Sequence, residues 1–384
     1  MRVFSITGNS IAESDALPHA LPDSGYLWIA CARREFEVQQ AHVQGALQHL
    51  CGAVLVDLHV SDLLNNQLPS HYDYTSQYDL LVFRRLAAGT TETDLTQPGV
   101  PLHQASEEAV RPGRTVKRSG PPVLRRIDTS PVGFAVFDRV LVTVHPTDCA
   151  VRDAYAAKLL GSVEARNGSG LASVGSNRLP ASPADLMMRI VNMMVDGYLD
   201  LRRELTRQLD HWQSELLQPQ TRFNNWKSLL DARMTLHLLD DVAEDQSAVM
   251  QDWIDALETW PEPADPAGRR DRELLKVRSR DVREHIERVV HHVRRLEQSV
   301  ETALQMHFSI QSHRTNDIMR TLTAITAVFL PLNLITGFFG MNFDFLPLIH
   351  TLAGFWLAAG AMVFVAIVLL LVFWRKRYLA RTGR

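Results

Sequence analysis

The sequence predicts an α+β membrane protein: a mixed α/β N-terminal domain on the cytoplasmic side, then a long helical stalk continuous with the first of two C-terminal transmembrane helices. Three observations carry that reading. Two charge-free apolar runs, Thr321 to Phe343 and Thr351 to Trp374, stand close together near the end of the chain. Each is long enough to cross a bilayer as a helix, which takes roughly 20 apolar residues at about 1.5 Å per residue. No proline or glycine occurs between Gly268 and Pro331, so the stalk and the first membrane helix read as one rod. The rest of the chain brings the total to 22% charged residues at a formal net charge of −3, the composition of a water-soluble domain.

Residues 1–165 read as the α/β domain. Met1-Arg2-Val3-Phe4 leads into polar sequence without the apolar core of a secretory signal. Short β-rich runs stand at Tyr26–Ala30, Ala53–Val56 and Leu80–Phe83, and Phe134–Val144 reads as a hairpin turning at Asp138-Arg139. Ala87 to Pro131, rich in Pro, Gly and Arg, reads as an exposed insertion. Cys31, Cys51 and Cys149 lack C-x-x-C spacing and fit reduced thiols in a core.

Residues 166–268 read as a helical hairpin. Ser182-Pro183-Ala184-Asp185 is a helix start, and Leu186, Ile190, Met193, Met194, Gly197, Leu201 and Leu205 follow at helical spacing. The methionines are expected to fill a core rather than to ligate a metal. Pro219 breaks this helix, and a second runs from Asn224 toward Trp260, stopped by Pro261-Glu262-Pro263. The Gly168–Gly175 segment lacks the preceding strand and the lysine of a phosphate loop.

Residues 269–320 read as the stalk, with an apolar stripe of Leu274, Val282, Ile286, Val289, Val293, Leu296, Val300 and Leu304. One helix from Arg270 to Phe339 would span about 100 Å and needs neighbours along its length. Transmembrane helix 1 (321–343), an external loop (344–350) carrying Asp344 and His350, transmembrane helix 2 (351–374) and a basic tail (375–384) complete the chain. Arg314 and Arg320 precede the first span, Arg375, Lys376, Arg377, Arg381 and Arg384 follow the second, and the loop has neither Lys nor Arg. Both termini are therefore expected in the cytoplasm, in a multi-pass protein of the inner membrane.

One hairpin cannot enclose a pore, so several copies would have to line it with the same helix. Asn316, Met319, Leu322, Thr326, Leu330, Asn333 and Gly337 are spaced to share one helical face. Polar residues within a membrane normally face a bundle interior or water, although helix–helix hydrogen bonding would serve Thr326 and Asn333 as well.

Thr315-Asn316-Asp317-Ile318-Met319, Pro331 inside the first span, Phe339-Gly340-Met341-Asn342-Phe343 and the terminal Arg375-Lys376-Arg377 together resemble the CorA family of divalent-cation transporters. The resemblance implies a homopentamer in a lipid bilayer. Gly340, Met341 and Asn342 would select the ion, Asn316 and Asn333 would face hydrated cations, and Met319, Leu322 and Leu330 would form apolar gating rings. Mg²⁺ holds its waters tightly, and a ring of Asn342 carboxamides would accept hydrogen bonds from them without stripping the ion. Co²⁺ and Ni²⁺ are the expected surrogates. Thr326 and Asn333 stand where the family commonly has a small apolar residue and a threonine.

The resemblance also implies closure by regulatory Mg²⁺ held between a stalk acid and acids of the neighbouring subunit. Asp281, in Arg280-Asp281-Val282-Arg283-Glu284-His285, takes the stalk position. The acidic pair expected before Tyr78-Asp79-Leu80-Leu81 reads Ser76-Gln77, with Asp73 and Asp79 nearby as substitutes. His285, His291, His292, His307 and His313 on the stalk raise the alternative of Zn²⁺ transport, as in the ZntB branch. A second alternative is a non-conducting membrane scaffold. No cofactor, nucleic-acid partner or enzymatic activity is expected, because the sequence carries no recognisable nucleophile motif, catalytic metal motif or nucleotide loop. Transport would run on the ion gradient and the membrane potential, worth about 2.3 kcal/mol per charge per 100 mV.

Overall fold

The computed structural model describes residues 1–8, 10–85, 87–88, 127–168, 179–217, 226–341 and 352–375. Most of the Ala87–Pro131 insertion, most of the Gly168–Gly175 segment, Asn342, the 344–350 loop and all but Arg375 of the basic tail lie outside the described residues. Two compact units emerge, one of residues 1–215 and 222–301, the other of residues 216–221 and 302–384.

The first unit is organised by a sheet of β1 (Arg2–Ile6), β2 (Ile11–Ser14), β3 (Tyr26–Ala32), β4 (His71–Tyr74), β5 (Asp79–Arg84), β8 (Pro131–Val136) and β9 (Val140–His145). Its order is β2-β1-β3-β9-β8-β5-β4. The central β3–β9 pair is parallel and the other pairs are antiparallel. β6 (Ala87–Ala88) and β7 (Ile127–Asp128) pair separately at the base of the insertion. The hairpin turns where expected, with the Phe137 N–H donating to the Val140 carbonyl at 2.8 Å.

Both faces of the sheet are covered, and side chains sort between them with the period of two that a pleated strand imposes. Trp28, Phe134 and Leu141 face one core, together with α3 (Ala150–Gly168), α4 (Pro183–Leu217), α5 (Trp226–Thr259) and the first turns of α6 (Pro266–Phe339). Ile29, Ala135 and Val142 face the other, with α1 (Arg33–Cys51) and α2 (Asp57–Leu64). Double burial explains why β8 and β9 are buried at every position and mostly apolar rather than alternating. Gly133 sits where α2 crosses the sheet, and a Cβ there would run into the Leu63 side chain.

Ala53–Val56 is not a strand. It is an extended connection whose edge is held by a side chain: Gln44 donates to the Leu55 carbonyl at 2.9 Å and accepts the Leu55 N–H at 2.8 Å. Local β propensity supplied the conformation, but no strand lies alongside to make a ladder. Cys31 and Cys149 are buried and Cys51 half-buried, all as free thiols, and burial pushes the Cys31 thiol up to about 12.

α4 begins at the expected signal. The Ser182 hydroxyl accepts the Asp185 N–H, and the Asp185 carboxylate accepts the Ala181 N–H in return. Met187, Met188 and Met194 are buried in the core. α6 starts four residues before the expected Arg270, because Pro266 stands where a missing N–H costs nothing and Asp265 caps it, accepting the Gly268 N–H at 2.7 Å. The stripe shifts by one residue at its start: Leu275 is buried, whereas Leu274 is exposed. Further along, Val282, Ile286, Val293 and Val300 lie inside as expected.

His145 is a fully buried histidine. Trp28 Nε1–H donates to the Thr143 hydroxyl at 2.9 Å, and that hydroxyl shares a second hydrogen bond of 2.9 Å with His145 Nε2, whose donor is set by the imidazole tautomer. Burial, with nearby Arg152 and Arg85 adding, lowers the imidazole from its ordinary 6.5 to about 3.

Two outcomes follow from these contacts. Gly133→Ala should lower unfolding free energy by about 1–3 kcal/mol, the usual cost of overpacking; an unchanged melting temperature would mean that Leu63 yields freely. Between pH 6.5 and 3 the unfolded chain protonates His145 while the folded chain does not, so stability falls as pH falls through that window. His145→Gln should flatten the pH dependence of the melting temperature there, and an identical slope would refute the assignment.

Candidate ion pathway and acidic sites

The second unit contains the outer part of α6 and α7 (Leu352–Arg375). Both helices are long and apolar enough to cross a membrane. Along α6, Asp317, Arg320, Ala324, Ala327, Pro331, Ile335 and Phe339 form a sheltered stripe, with Ala324 fully buried. At about 100° per residue, the stripe of Asn316, Met319, Leu322, Thr326, Leu330, Asn333 and Gly337 falls on the opposite side. All seven are exposed in the single chain. Apolar Ile318, Ile325 and Phe329 flank it, also exposed.

The polar groups on this open stripe are in different states. Thr326 is satisfied within its own helix, its hydroxyl donating to the Leu322 carbonyl at 2.9 Å. The Thr336 hydroxyl returns to the Asn333 carbonyl at 3.1 Å. At the end of α6, Gly340 donates its N–H to the Thr336 carbonyl at 2.9 Å. Its φ is not among the left-handed ones. What the position restricts is space, since a Cβ there would lie 3.0 Å from that same carbonyl. Met341 is exposed, and Asn342 lies outside the described residues.

The three candidate regulatory acids separate into two places within one chain. Asp73, on β4, and Asp79, at the start of β5, both line a cavity of about 1000 Å³. Asp281, on α6, is not among the residues of that cavity. Asp73 accepts a hydrogen bond from His59 Nε2 at 3.1 Å, and this bond is the main cause of its lowered carboxyl pKa. His59 Nδ1 lies 2.8 Å from the Tyr78 hydroxyl, which tethers α2 to the β4–β5 hairpin. Burial raises the Asp79 carboxyl, against a 2.5 Å hydrogen bond from the Tyr72 hydroxyl, and the charge of Asp138 raises it further. Asp281 is more than half exposed and lies 3.7 Å from His285 Nε2, whose Nδ1 is 3.9 Å from Asp196.

The cavity also gathers Asp138, Asp252 and Asp255. Sequence reasoning did not single these out, because the β8–β9 turn and the last turns of α5 meet β4–β5 only in the folded chain. Among the described residues, no group of three or more His, Cys, Asp or Glu is placed to hold a metal ion. The stalk histidines do not converge: His292 Nε2 is 3.1 Å from the Thr206 hydroxyl, and burial lowers its pKa.

The family profile described as "CorA-like Mg2+ transporter protein" matches residues 117–377. A cobalt/magnesium transport protein CorA of Thermotoga maritima is 24% identical over 200 residues, a match that covers 50% of this chain and 52% of that protein. The chain thus aligns with about half the length of that relative. The complete structure of the CorA magnesium transporter from Methanocaldococcus jannaschii superposes with a TM-score of 0.67 at 16% identity, covering 100% of this chain and 98% of the other. The cytoplasmic domain of ZntB from Vibrio parahaemolyticus gives a TM-score of 0.50 at 12% identity, over 82% of this chain and 98% of that one. These two likenesses concern the fold.

Proposed function

The chain belongs to the CorA-like Mg²⁺ transporter family, and on that premise we propose that it is a homopentameric channel carrying Mg²⁺, with Co²⁺ and Ni²⁺ as surrogates, down its electrochemical gradient. It lies in the inner membrane with both termini in the cytoplasm, as the Lys and Arg flanks of the two spans indicate.

The open stripe of α6 carries this reading. A helix that shelters Ala324 on one side and leaves Asn333 bare on the other cannot turn that side to lipid without cost, because an amide in hydrocarbon lacks partners. Five copies that turn this stripe inward would place the amides on water and on hydrated cations. Met319, Leu322 and Leu330 would narrow the pore as apolar rings that close by dewetting. Gly340-Met341-Asn342 would receive the hexahydrated ion at the mouth. A carboxamide ring accepts hydrogen bonds from bound water without a carboxylate's tight grip, which suits an ion that dehydrates reluctantly.

Regulation belongs to the same proposal. Asp281, open on α6 and held only loosely by His285, is free to meet the acidic cavity of a neighbouring copy at Asp79 and Asp73, so that Mg²⁺ bridges subunits and holds the pore shut. Mg²⁺ is the better reading than Zn²⁺, since the stalk histidines form no cluster among the described residues.

Proteoliposomes holding the purified protein should take up Mg²⁺, and Asn342→Ala should abolish the uptake. Zn²⁺ uptake without Mg²⁺ would move the protein to zinc transport, and retention of flux in Asn342→Ala would remove the selectivity role. Asp281→Ala should weaken the closure of the pore by Mg²⁺ on the cytoplasmic side, read as residual flux at millimolar internal Mg²⁺. Unchanged dependence on internal Mg²⁺ would sink the regulatory assignment.

A further inference from the structure

We infer that Thr326 forms a ring of hydrogen-bond acceptors inside the pore, a station for a hydrated divalent cation that divides one long apolar constriction into two short ones. The inference rests on the reading that the open stripe of α6 lines the pore.

Leu322 and Leu330 stand four residues to either side of Thr326 on the same stripe, 59% and 71% exposed in the single chain. Each is about one turn, roughly 6 Å, from the threonine. Without a polar group between them, the two leucine rings would bound an apolar stretch of about 12 Å, long enough for water to withdraw and the pore to dry. A hydroxyl midway keeps water there and leaves two barriers of a single turn.

The geometry of the hydroxyl decides what it can hold. A threonine has one O–H to donate and two lone pairs to accept with. The Thr326 O–H is already committed to the Leu322 carbonyl at 2.9 Å, so what remains for the lumen is acceptor capacity alone. A hydrated Mg²⁺ presents water hydrogens outward and keeps its waters, and an acceptor ring fits that shell. An anion, which needs donors, finds none. A neutral oxygen also holds the ion more weakly than a carboxylate, so the ion passes on.

Not every threonine of this helix can play the part. Thr321 makes the same intrahelical bond, to the Asp317 carbonyl at 2.9 Å, but it lies about 140° around the helix from Thr326, away from the stripe. There the bond serves only to satisfy the hydroxyl.

The test uses the full-length protein in proteoliposomes and measures the initial rate of Mg²⁺ uptake. Thr326→Val keeps the shape and removes the hydroxyl; Thr326→Ser keeps the hydroxyl and removes the methyl. We expect Thr326→Val to lower uptake by about ten-fold or more, as a longer dry constriction requires, with Thr326→Ser within about two-fold of the parent. Thr326→Ala, which fits any space that threonine fills, should fall with valine and keeps the test available if valine disturbs assembly. Each variant is compared at matched elution volume and melting temperature. Parental uptake in Thr326→Val or Thr326→Ala overturns this inference and leaves the pore reading standing. Absence of Mg²⁺ uptake by the parent overturns both.

Discussion

A helix as long as α6 exists only where something covers it on every turn, and that requirement organises the protein. Over its first turns the cover is internal: Leu275, Val282 and Ile286 enter the same core as the sheet residues Trp28 and Phe134. Over its outer turns the described chain covers one side only, through Ala324. The remaining stripe mixes amides and a hydroxyl with leucine and methionine, groups that a water-lined bundle interior or a partner helix would satisfy. On the proposed function, copies of the same stripe facing one another across water would satisfy both parts at once. The apolar rings would close against themselves and the polar rings would stay wet.

The sheet organises the first unit. It is buried on both faces, with alternate side chains of β3, β8 and β9 assigned to opposite cores. A shift of one residue in any of these strands would exchange the two sets, so its register is strongly specified. The close approach of Leu63 to Gly133 and the buried run from Trp28 through Thr143 to His145 tighten the same region further.

The cavity beside β4 and β5 gathers negative charge. Asp73, Asp79, Asp138, Asp252 and Asp255 line it, and none of its lining residues is Lys, Arg or His. Low charge compensation is visible at Asp79, whose carboxyl is raised by burial and by Asp138 despite the Tyr72 hydrogen bond. On the proposed regulation, a divalent ion bridging to a partner's Asp281 would relieve that repulsion; among the described residues of one chain, no group of three or more potential ligands closes around a metal.

The two apolar spans, the unbroken α6, the strand at Leu80–Phe83 and the Phe134–Val144 hairpin were legible in the sequence, because each depends on local signals: apolar length, the absence of Pro and Gly, β-rich runs and a turn between them. The seven-residue stripe was legible for the same reason, helical spacing being a property of one element. Other parts were not. α1 buries only Phe36, Val43 and Leu47 in 19 residues, too sparse a stripe to read as a helix, and β1, β2 and β4 are short strands with weak local pattern. Ala53–Val56 had strand propensity but finds the Gln44 side chain in place of a strand partner. Asp138, Asp252 and Asp255 join Asp73 and Asp79 only when the β8–β9 turn, α5 and the β4–β5 hairpin come together. By itself the sequence determined the two apolar spans, the long unbroken helix and which residues share one helical face, since periodicity acts within one helix. Tertiary structure alone decided which acids share a cavity and which thiols and histidines are buried, because those depend on contacts between segments far apart in the chain.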